Sequence, residues 1–224
     1  MRTNNHEMHG IFPCPIYVVK RDSNLSVEEE AEIEDIIKER KHNVGEIDYR
    51  IDNFYMFGKP VREGKVAQEG RLKDLKEFCE LHIDAYVKEV LNPKEENELD
   101  FFITQSWINV VEPGGNIDQH YHANSIISGA FYISTEKDDK ITFSEPNIQL
   151  KEPLKIEPKE FNIWNSRIWY FPVAVNELIL FPSWLGHRVD INENQTSNRI
   201  SISFNVFAKG NFGIKGTLNE LILK

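Results

Sequence analysis

The sequence predicts a mainly β protein, a sandwich or jelly roll with a helical N-terminal cover. Eight short runs of strand type, separated by polar turns, lie between residues 101 and 208. Helical periodicity is confined to the first 98 residues. The last run, RISISFNVF from Arg199, alternates between polar and apolar side chains, which is typical of a strand with two different faces.

Length, composition and charge narrow the classes of function. The chain has 224 residues, of which 40% are hydrophobic and 11% aromatic, enough to bury a substantial core. Its net charge of -10 argues against a general nucleic-acid surface and against electrostatic docking to anionic membranes. No apolar run is long enough to span a membrane, and the first residues lack a signal peptide's apolar stretch. We therefore expect a cytoplasmic protein.

The N-terminal part contains one short strand and two helices. Prolines within residues 11–20 restrict that strand to the edge of a sheet. Ser26 and Glu29 form a capping-box pattern, which predicts the start of the first helix. Apolar residues at helical spacing between Leu72 and Leu91 predict the second helix, which ends at Asn92-Pro93. We expect one domain over residues 1–224, with helical cover over about 1–98 and a β core over about 99–210.

The β core is predicted from alternating patterns, and their parity indicates a cavity. The strands are expected near residues 101–111, 117–123, 126–134, 139–144, 160–171, 176–181, 187–192 and 198–208. In the last strand Arg199 shares a face with small polar residues, whereas the opposite face is apolar. Small polar groups around one arginine leave room for an anionic ligand. The strand from Ile126 places Ser128, Ala130 and Tyr132 on one face in the same manner.

Three ligand-type residues alternate near the middle of the chain. Asp118, His120 and His122 are spaced two apart, so an extended chain would direct them to the same side. His187 follows in the segment FPSWLGHRV, and Arg199 comes twelve residues later. This order predicts a metal site followed by an anion anchor. The alternative is that the histidines are merely packed in a polar groove.

Several motifs together resemble those of the Fe(II)- and 2-oxoglutarate-dependent oxygenase superfamily, and in particular its bacterial and phage group. They are IFPCPIY, SWINV, HYH, NSIISGAFYI, FSEP, LILFPSWLGHRV and RISISFN. The resemblance implies a double-stranded β-helix with a metal at one open end, and Fe(II) and 2-oxoglutarate as cofactors. It also implies oxidative decarboxylation of 2-oxoglutarate to succinate and CO2, coupled to hydroxylation of an unidentified small-molecule or peptide substrate. By the same resemblance, Arg199 meets the distal carboxylate of 2-oxoglutarate, with Ser201 and Tyr132 as neighbours.

One position departs from the superfamily's usual ligand pattern. That pattern is His-x-Asp/Glu followed by a distant histidine, and here the position two after His120 is His122. The preferred interpretation is a three-histidine site of His120, His122 and His187. In a second, Asp118 supplies the carboxylate. In a third, water or substrate fills the third position and His122 lies outside the ligand set.

Two other functions are compatible with the same barrel. One is a non-catalytic cupin-like module that binds a small molecule. The other is a cupin-type dioxygenase with three histidines that does not use 2-oxoglutarate. Arg199 favours the oxygenase that uses 2-oxoglutarate, because such a cupin has no need of a cationic anchor after its last ligand.

Overall fold

Two antiparallel sheets form the body of the protein. The structure is a computed structural model, and it describes residues 7, 9–39, 51–55, 72–146, 154 and 156–224. Its strands are β1 (Tyr17–Lys20), β2 (Ile51–Tyr55), β3 (Asp100–Val111), β4 (Ile117–His120), β5 (Ile127–Ser134), β6 (Lys140–Ser144), β7 (Ile168–Pro172), β8 (Glu177–Pro182), β9 (His187–Val189), β10 (Arg199–Phe212) and β11 (Leu221–Leu223). Its helices are α1 (Val27–Glu39) and α2 (Lys73–Tyr86).

The order of the strands is that of a jelly roll. Among the described residues the larger sheet has the order β1-β8-β5-β10-β3-β2, with β11 paired to β10, and the smaller sheet has the order β4-β9-β6-β7. All of these pairs are antiparallel. The mainly β jelly roll predicted from the sequence is confirmed. β1 lies at the edge of its sheet, as predicted from the prolines that precede it, Pro13 and Pro15.

The helices cover the outer face of the larger sheet. α1 begins with the predicted capping box, in which Glu29 N–H donates to Ser26 Oγ at 3.1 Å and Ser26 N–H donates to Glu29 Oε2 at 2.8 Å. α2 continues into a π-helical turn, Val87–Leu91, and ends at Asn92, which adopts a left-handed conformation. No helix in the described part of the chain has the length and hydropathy needed to cross a membrane.

The main hydrophobic core lies between these helices and the larger sheet. It contains the apolar face of β10, formed by Ile202, Phe204 and Val206, all of which are fully buried. Phe204 rests directly on β5 at Gly129, where a Cβ atom would overlap its ring. The glycine is therefore required by the close approach of this side chain to the backbone.

A second core lies between the two sheets. Its members come from β5, β6 and β8 and the loops beside them: Ala130, Tyr132, Ile141, Phe143, Val173, Ile179, Phe181 and Leu185. The polar face of β10 is directed toward this side, since strand residues alternate between faces. The parity predicted for the last strand therefore agrees with the packing, and the polar row faces the interior of the sandwich.

Some boundaries differ from the sequence prediction. A second strand, β2, comes from the part of the chain predicted as cover and extends the larger sheet at the edge opposite β1. The strand expected over 160–171 is limited to β7. Before it, Asn162 Oδ1 accepts a bond from Trp164 N–H at 2.8 Å, and Asn165 Oδ1 accepts one from Asn162 N–H at 2.8 Å. These local bonds stabilise a turn in place of a strand.

The two faces of β10 lead to a matched pair of substitutions. Ile202→Asp places a charge in the fully buried core under α2, and we expect it to cost about 4 kcal/mol or more, which would leave little folded protein. Ser201→Leu enlarges a half-buried side chain on the side that faces the smaller sheet, and we expect a loss of about 1–3 kcal/mol. Urea denaturation followed by circular dichroism measures both. Equal losses of stability would contradict the assignment of the faces.

Candidate metal centre

Three histidines converge at one end of the smaller sheet. His120 is the last residue of β4 and His187 the first of β9, and the two are direct partners across this antiparallel pair. His122 follows two residues after the end of β4. One ring nitrogen from each histidine lies within 4.8 Å of the other two. The ring centroids are 4.3 Å apart for His120–His187, 5.0 Å for His122–His187 and 5.1 Å for His120–His122.

Hydrogen bonds fix the tautomer of all three imidazoles. His120 Nδ1 lies 2.8 Å from the carbonyl oxygen of Asp118, and His187 Nδ1 lies 3.0 Å from that of Leu185. His122 Nδ1 lies 2.6 Å from the side-chain oxygen of Asn205. Carbonyl and amide oxygens only accept, so each Nδ1 must carry the proton and donate. Each Nε2 is then left with a free lone pair, which is the form in which histidine binds a metal.

His122 is tied to the larger sheet through its Nδ1. Besides Asn205 on β10, Ser128 Oγ on β5 lies 2.7 Å from the same nitrogen. Ser128 is fully buried, and its Oγ is hydrogen-bonded to Ser183 Oγ at 2.8 Å. Ser183 Oγ in turn donates to Ser125 Oγ at 2.7 Å. This chain of hydroxyls satisfies polar groups that would otherwise be buried without partners. Because both contacts are made to Nδ1, the imidazole of His122 is held in place while its Nε2 stays free.

His122 and His187 are neutral at physiological pH. Burial lowers the pKa of His122 to about 4, with a further contribution from the neighbouring His120 and a partly opposing one from the bond to Asn205. Burial and His120 lower the pKa of His187 to about 3, against the opposing bond to the Leu185 carbonyl. Neutral imidazoles release no proton when they bind a metal. These two histidines can thus act as metal donors without first losing a proton.

Asp118 lies outside this cluster. Its carboxylate is exposed and accepts a bond from Asn116 Nδ2 at 2.9 Å. The pairing of β4 with β9 shifts register between Ile117 and His120, which adds a residue to β4 and interrupts its alternation. Spacing by two therefore does not bring Asp118 to the side of His120 that faces His187. The geometry favours three histidines over the carboxylate alternative.

Arg199 is buried and already engaged by acidic residues. One terminal nitrogen donates to Asp139 Oδ1 in an ion pair in which both side chains are more than nine-tenths buried. The other donates to the backbone oxygen of Asp190 at 2.9 Å. Nε is buried and has no hydrogen-bond partner among the residues that the structure describes. The sequence predicted an open pocket around this arginine, and the structure instead places a resident carboxylate there.

Tyr132 and Ser201 lie beside each other near this arginine. They are direct partners in the pairing of β5 with β10. Burial raises the pKa of Tyr132, with Arg199 opposing that change and Asp139 adding to it, so its hydroxyl remains a donor at neutral pH. Ser201 Oγ is 3.4 Å from Asn109 Nδ2. The structure therefore brings together the two residues that the resemblance names as neighbours of Arg199.

A continuous polar row connects the two regions along β10. It runs through Ser201 and Ser203, which Asn109 bridges at 3.4 and 2.8 Å, to Asn205 beside His122. Arg199 and Asn205 are six residues apart, or about 20 Å between their Cα atoms at the rise of an extended strand. The backbone of Arg199 therefore lies at the end of the polar row that is far from the histidines.

The segment that contains all of these groups matches a known family. Residues 105–205 fit the family model described as "Putative 2OG-Fe(II) oxygenase". This segment includes the three histidines and Arg199. The resemblance to the Fe(II)/2-oxoglutarate oxygenase superfamily is confirmed. No curated protein sequence matches the chain.

Solved structures of Fe(II)/2-oxoglutarate oxygenases share the fold. A prolyl-4-hydroxylase from Pseudomonas putida is similar with a TM-score of 0.53 and 10% identity, over 86% of this chain and 92% of that one. The α-ketoglutarate-dependent epimerase SnoN from nogalamycin biosynthesis gives 0.56 and 11%, over 92% and 81%. A Trichoplax adhaerens prolyl hydroxylase, solved with a hypoxia-inducible-factor peptide, gives 0.53 and 11%, over 86% and 83%. Identities this low establish the fold and leave the reaction open.

Two residues of the site have no clear signal in the sequence. Asn205 is recognisable as part of the polar face of β10, but its bond to His122 joins residues 83 apart. Asp139 is 60 residues from Arg199 and looks like an ordinary turn residue. Only the register of the sheets brings these partners together. The alternation of residues along a strand predicts which face of the sheet a side chain lies on, but not which distant residue it contacts.

The ligand set leads to a direct test by substitution. We expect the purified protein to bind about one Fe(II) per chain, with Mn(II) or Co(II) as inert replacements. His187→Ala and His122→Ala should each abolish tight binding, because each removes one Nε2 donor. Asp118→Asn is the control and should leave metal content unchanged. Metal content after dialysis, measured by mass spectrometry, provides the result. Loss of metal in Asp118→Asn together with retention in His122→Ala would favour the carboxylate alternative.

The bond between His122 and Asn205 leads to a second prediction. Asn205→Ala removes the acceptor that orients the imidazole, and such losses beside a ligand typically weaken metal binding by about 10- to 100-fold. Asn109→Ala is the matched control, because it removes an amide from the same polar row that does not contact His122. Competition titration with a chelator gives both affinities. An equal effect of the two substitutions would show that Asn205 acts only through the packing of the row.

Proposed function

We propose that the protein is an Fe(II)- and 2-oxoglutarate-dependent dioxygenase that hydroxylates an unidentified substrate and releases succinate and CO2. The observation that carries the proposal is the convergence of three imidazoles inside the segment that matches the oxygenase family. A buried arginine twelve residues after the last of these histidines adds the anion anchor that the family's cosubstrate needs.

The residues fit a divalent transition metal. Imidazole nitrogens are donors suited to iron, and here three are oriented by bonds from their other nitrogen. His120, His122 and His187 would hold the ion. Bound Fe(II) would supply the activation of oxygen and of the 2-oxo acid. The chain's own contribution is to hold three Nε2 atoms in one place and to keep the surrounding sheet interior closed by apolar residues.

The fit to 2-oxoglutarate depends on Arg199. Its Nε is a buried donor without a partner in the described part of the chain, and such a group usually marks a place for a ligand or water. A guanidinium presents donors in a fork that matches a carboxylate. The protonated hydroxyls of Tyr132 and Ser201 would add donors beside it. We propose this group as the binding site for the distal carboxylate.

The class of substrate is proposed from the relatives. The structures with this fold include prolyl hydroxylases, one of them bound to a peptide, and an epimerase of nogalamycin biosynthesis. A small molecule or a peptide is accordingly the proposed substrate. A cytoplasmic protein with one domain over residues 1–224 is part of the same proposal, on the composition and charge of the chain.

A three-histidine dioxygenase that does not use 2-oxoglutarate is the second candidate. The contact between Asp139 and Arg199 favours it, because a guanidinium that already has a carboxylate partner is a weaker attractor for another. The two candidates differ in a measurable product. Only the first forms succinate from 2-oxoglutarate in the presence of Fe(II) and oxygen.

Arg199 also provides a direct test of cosubstrate binding. Arg199→Ala should weaken 2-oxoglutarate binding by about 100-fold or more, since losing the partner of a desolvated carboxylate costs about 3–5 kcal/mol. Metal content should be unchanged, because the arginine is not a ligand. Arg199→Lys should restore only part of the affinity, because an ammonium lacks the fork. Calorimetric titration of the Mn(II)-loaded protein measures these affinities.

Arg188 is the control for this test. It is adjacent to His187 but forms its own ion pair with Asp190, 2.8 Å from Nε to Oδ1, at a half-exposed position. Arg188→Ala should leave 2-oxoglutarate binding close to that of the unsubstituted protein. The anchor is misassigned if Arg188→Ala abolishes binding while Arg199→Ala does not. If neither matters and no succinate forms, 2-oxoglutarate is not the ligand, and the non-catalytic cupin-like binding module replaces the proposed function.

A further inference from the structure

The ion pair between Arg199 and Asp139 is a feature of this chain that the proposed reaction does not require. The two side chains are 6% and 7% exposed, so the pair is screened very little by solvent. Asp139 directs its two oxygens to different partners. Oδ1 accepts from the guanidinium, and Oδ2 accepts from the backbone N–H of Glu136 at 2.8 Å.

We propose that Asp139 is a resident counter-ion of Arg199 that competes with the distal carboxylate of the cosubstrate and so sets the affinity for dicarboxylates. This inference rests on the proposed function. Asp139 lies in the turn between β5 and β6, where its backbone also bonds to Glu136 and Val173. The carboxylate is therefore held at the arginine by the turn itself.

Whether Asp139 weakens or strengthens dicarboxylate binding depends on whether its ion pair with Arg199 is present in the ligand-free protein, the ligand-bound protein or both. An incoming carboxylate either replaces Asp139 at the guanidinium or shares the guanidinium with it through Nε. In the first case the pair stabilises only the ligand-free protein, and any such stabilisation weakens binding by the same amount. In the second case two buried carboxylates lie close together and repel each other. Both cases predict that removing the charge of Asp139 strengthens dicarboxylate binding.

Asp139→Asn separates this role from the structural one. The amide oxygen can still accept from Glu136 N–H, which preserves the turn. The amide nitrogen then faces the guanidinium, and as a donor it cannot pair with another donor. The substitution therefore releases Arg199 while the β5–β6 turn is kept. Asp138→Asn is the matched control, because it removes the same charge from the adjacent exposed residue.

The experiment compares two ligands on the full chain loaded with Mn(II). One is 2-oxoglutarate, and the other is pyruvate, a 2-oxo acid that lacks the distal carboxylate. Calorimetric titration should show that Asp139→Asn binds 2-oxoglutarate about tenfold more tightly than the unsubstituted protein, and pyruvate with unchanged affinity. Asp138→Asn should change neither. A gain that appears equally for pyruvate would contradict the proposal, because the effect would then not involve the distal carboxylate.

A second readout needs no bound cosubstrate. Without ligand, Asp139→Asn should melt at a lower temperature than Asp138→Asn, because it leaves a buried guanidinium without its partner. Saturating 2-oxoglutarate should raise its melting temperature by more than that of the control. If Asp139→Asn does not fold, Asp139→Ser serves in its place, since a hydroxyl can accept from Glu136 N–H but is too short to reach Arg199.

The possible failures are distinguishable. If the unsubstituted protein binds 2-oxoglutarate through Arg199 and Asp139→Asn binds it equally or more weakly, the counter-ion role is wrong and the proposed function stands. Asp139 would then be a residue that positions the arginine. If the unsubstituted protein and Asp139→Asn both fail to bind 2-oxoglutarate more tightly than pyruvate, the proposed function and this inference are both wrong.

Discussion

The hydrogen bond from His122 to Asn205 is the contact on which the site depends. His120 and His187 are fixed by the pairing of β4 with β9, and both belong to the smaller sheet. His122 has left that sheet, and its ring is oriented by Asn205 and Ser128 of the larger one. The candidate metal centre is therefore complete only while the two sheets keep their relative position. The inter-sheet core of aromatic and aliphatic residues stabilises that position.

The two ends of the polar row differ in charge: one contains imidazoles and the other a buried guanidinium. At the histidine end, burial keeps His122 and His187 neutral, so these two donors carry no charge. At the arginine end, a permanent charge is buried and needs an anion nearby. Asp139 meets that need in the protein alone. A buried cation without a counter-ion lowers the stability of the folded protein, and in this chain Asp139 is the counter-ion of Arg199.

Periodicity predicted the fold well because the two faces of most strands differ in composition. The alternation of β10 separates Ile202 and Phe204 from the polar row, and the structure packs those residues under the helices. The capping box gives the start of α1, and Asn92 gives the end of the second helical segment. Periodicity was less informative where side chains bond to their own backbone, as Asn162 does before β7.

The site was predictable as a set of residue types and less so as a set of contacts. His120, His122 and His187 were identified from spacing and resemblance, and the structure brings them together. Asp118 followed from the same spacing argument and is directed elsewhere, because a register shift in β4 cannot be read from the sequence. Asp139 was missed because its contact with Arg199 depends on how a turn meets a distant strand.

Gly129 connects the outside of the larger sheet to the site on its inner side. The ring of Phe204 lies against the backbone at this glycine, and the next residue along β10 is Asn205, which holds His122. The packing of Phe204 against Gly129 on one face of the sheet thus helps to fix the position of the His122 imidazole on the other face. The candidate metal centre is therefore sensitive to the packing of residues that never contact it. A side chain at position 129 would thus displace Phe204 on the covered face and, through the next residue, the acceptor of the His122 bond.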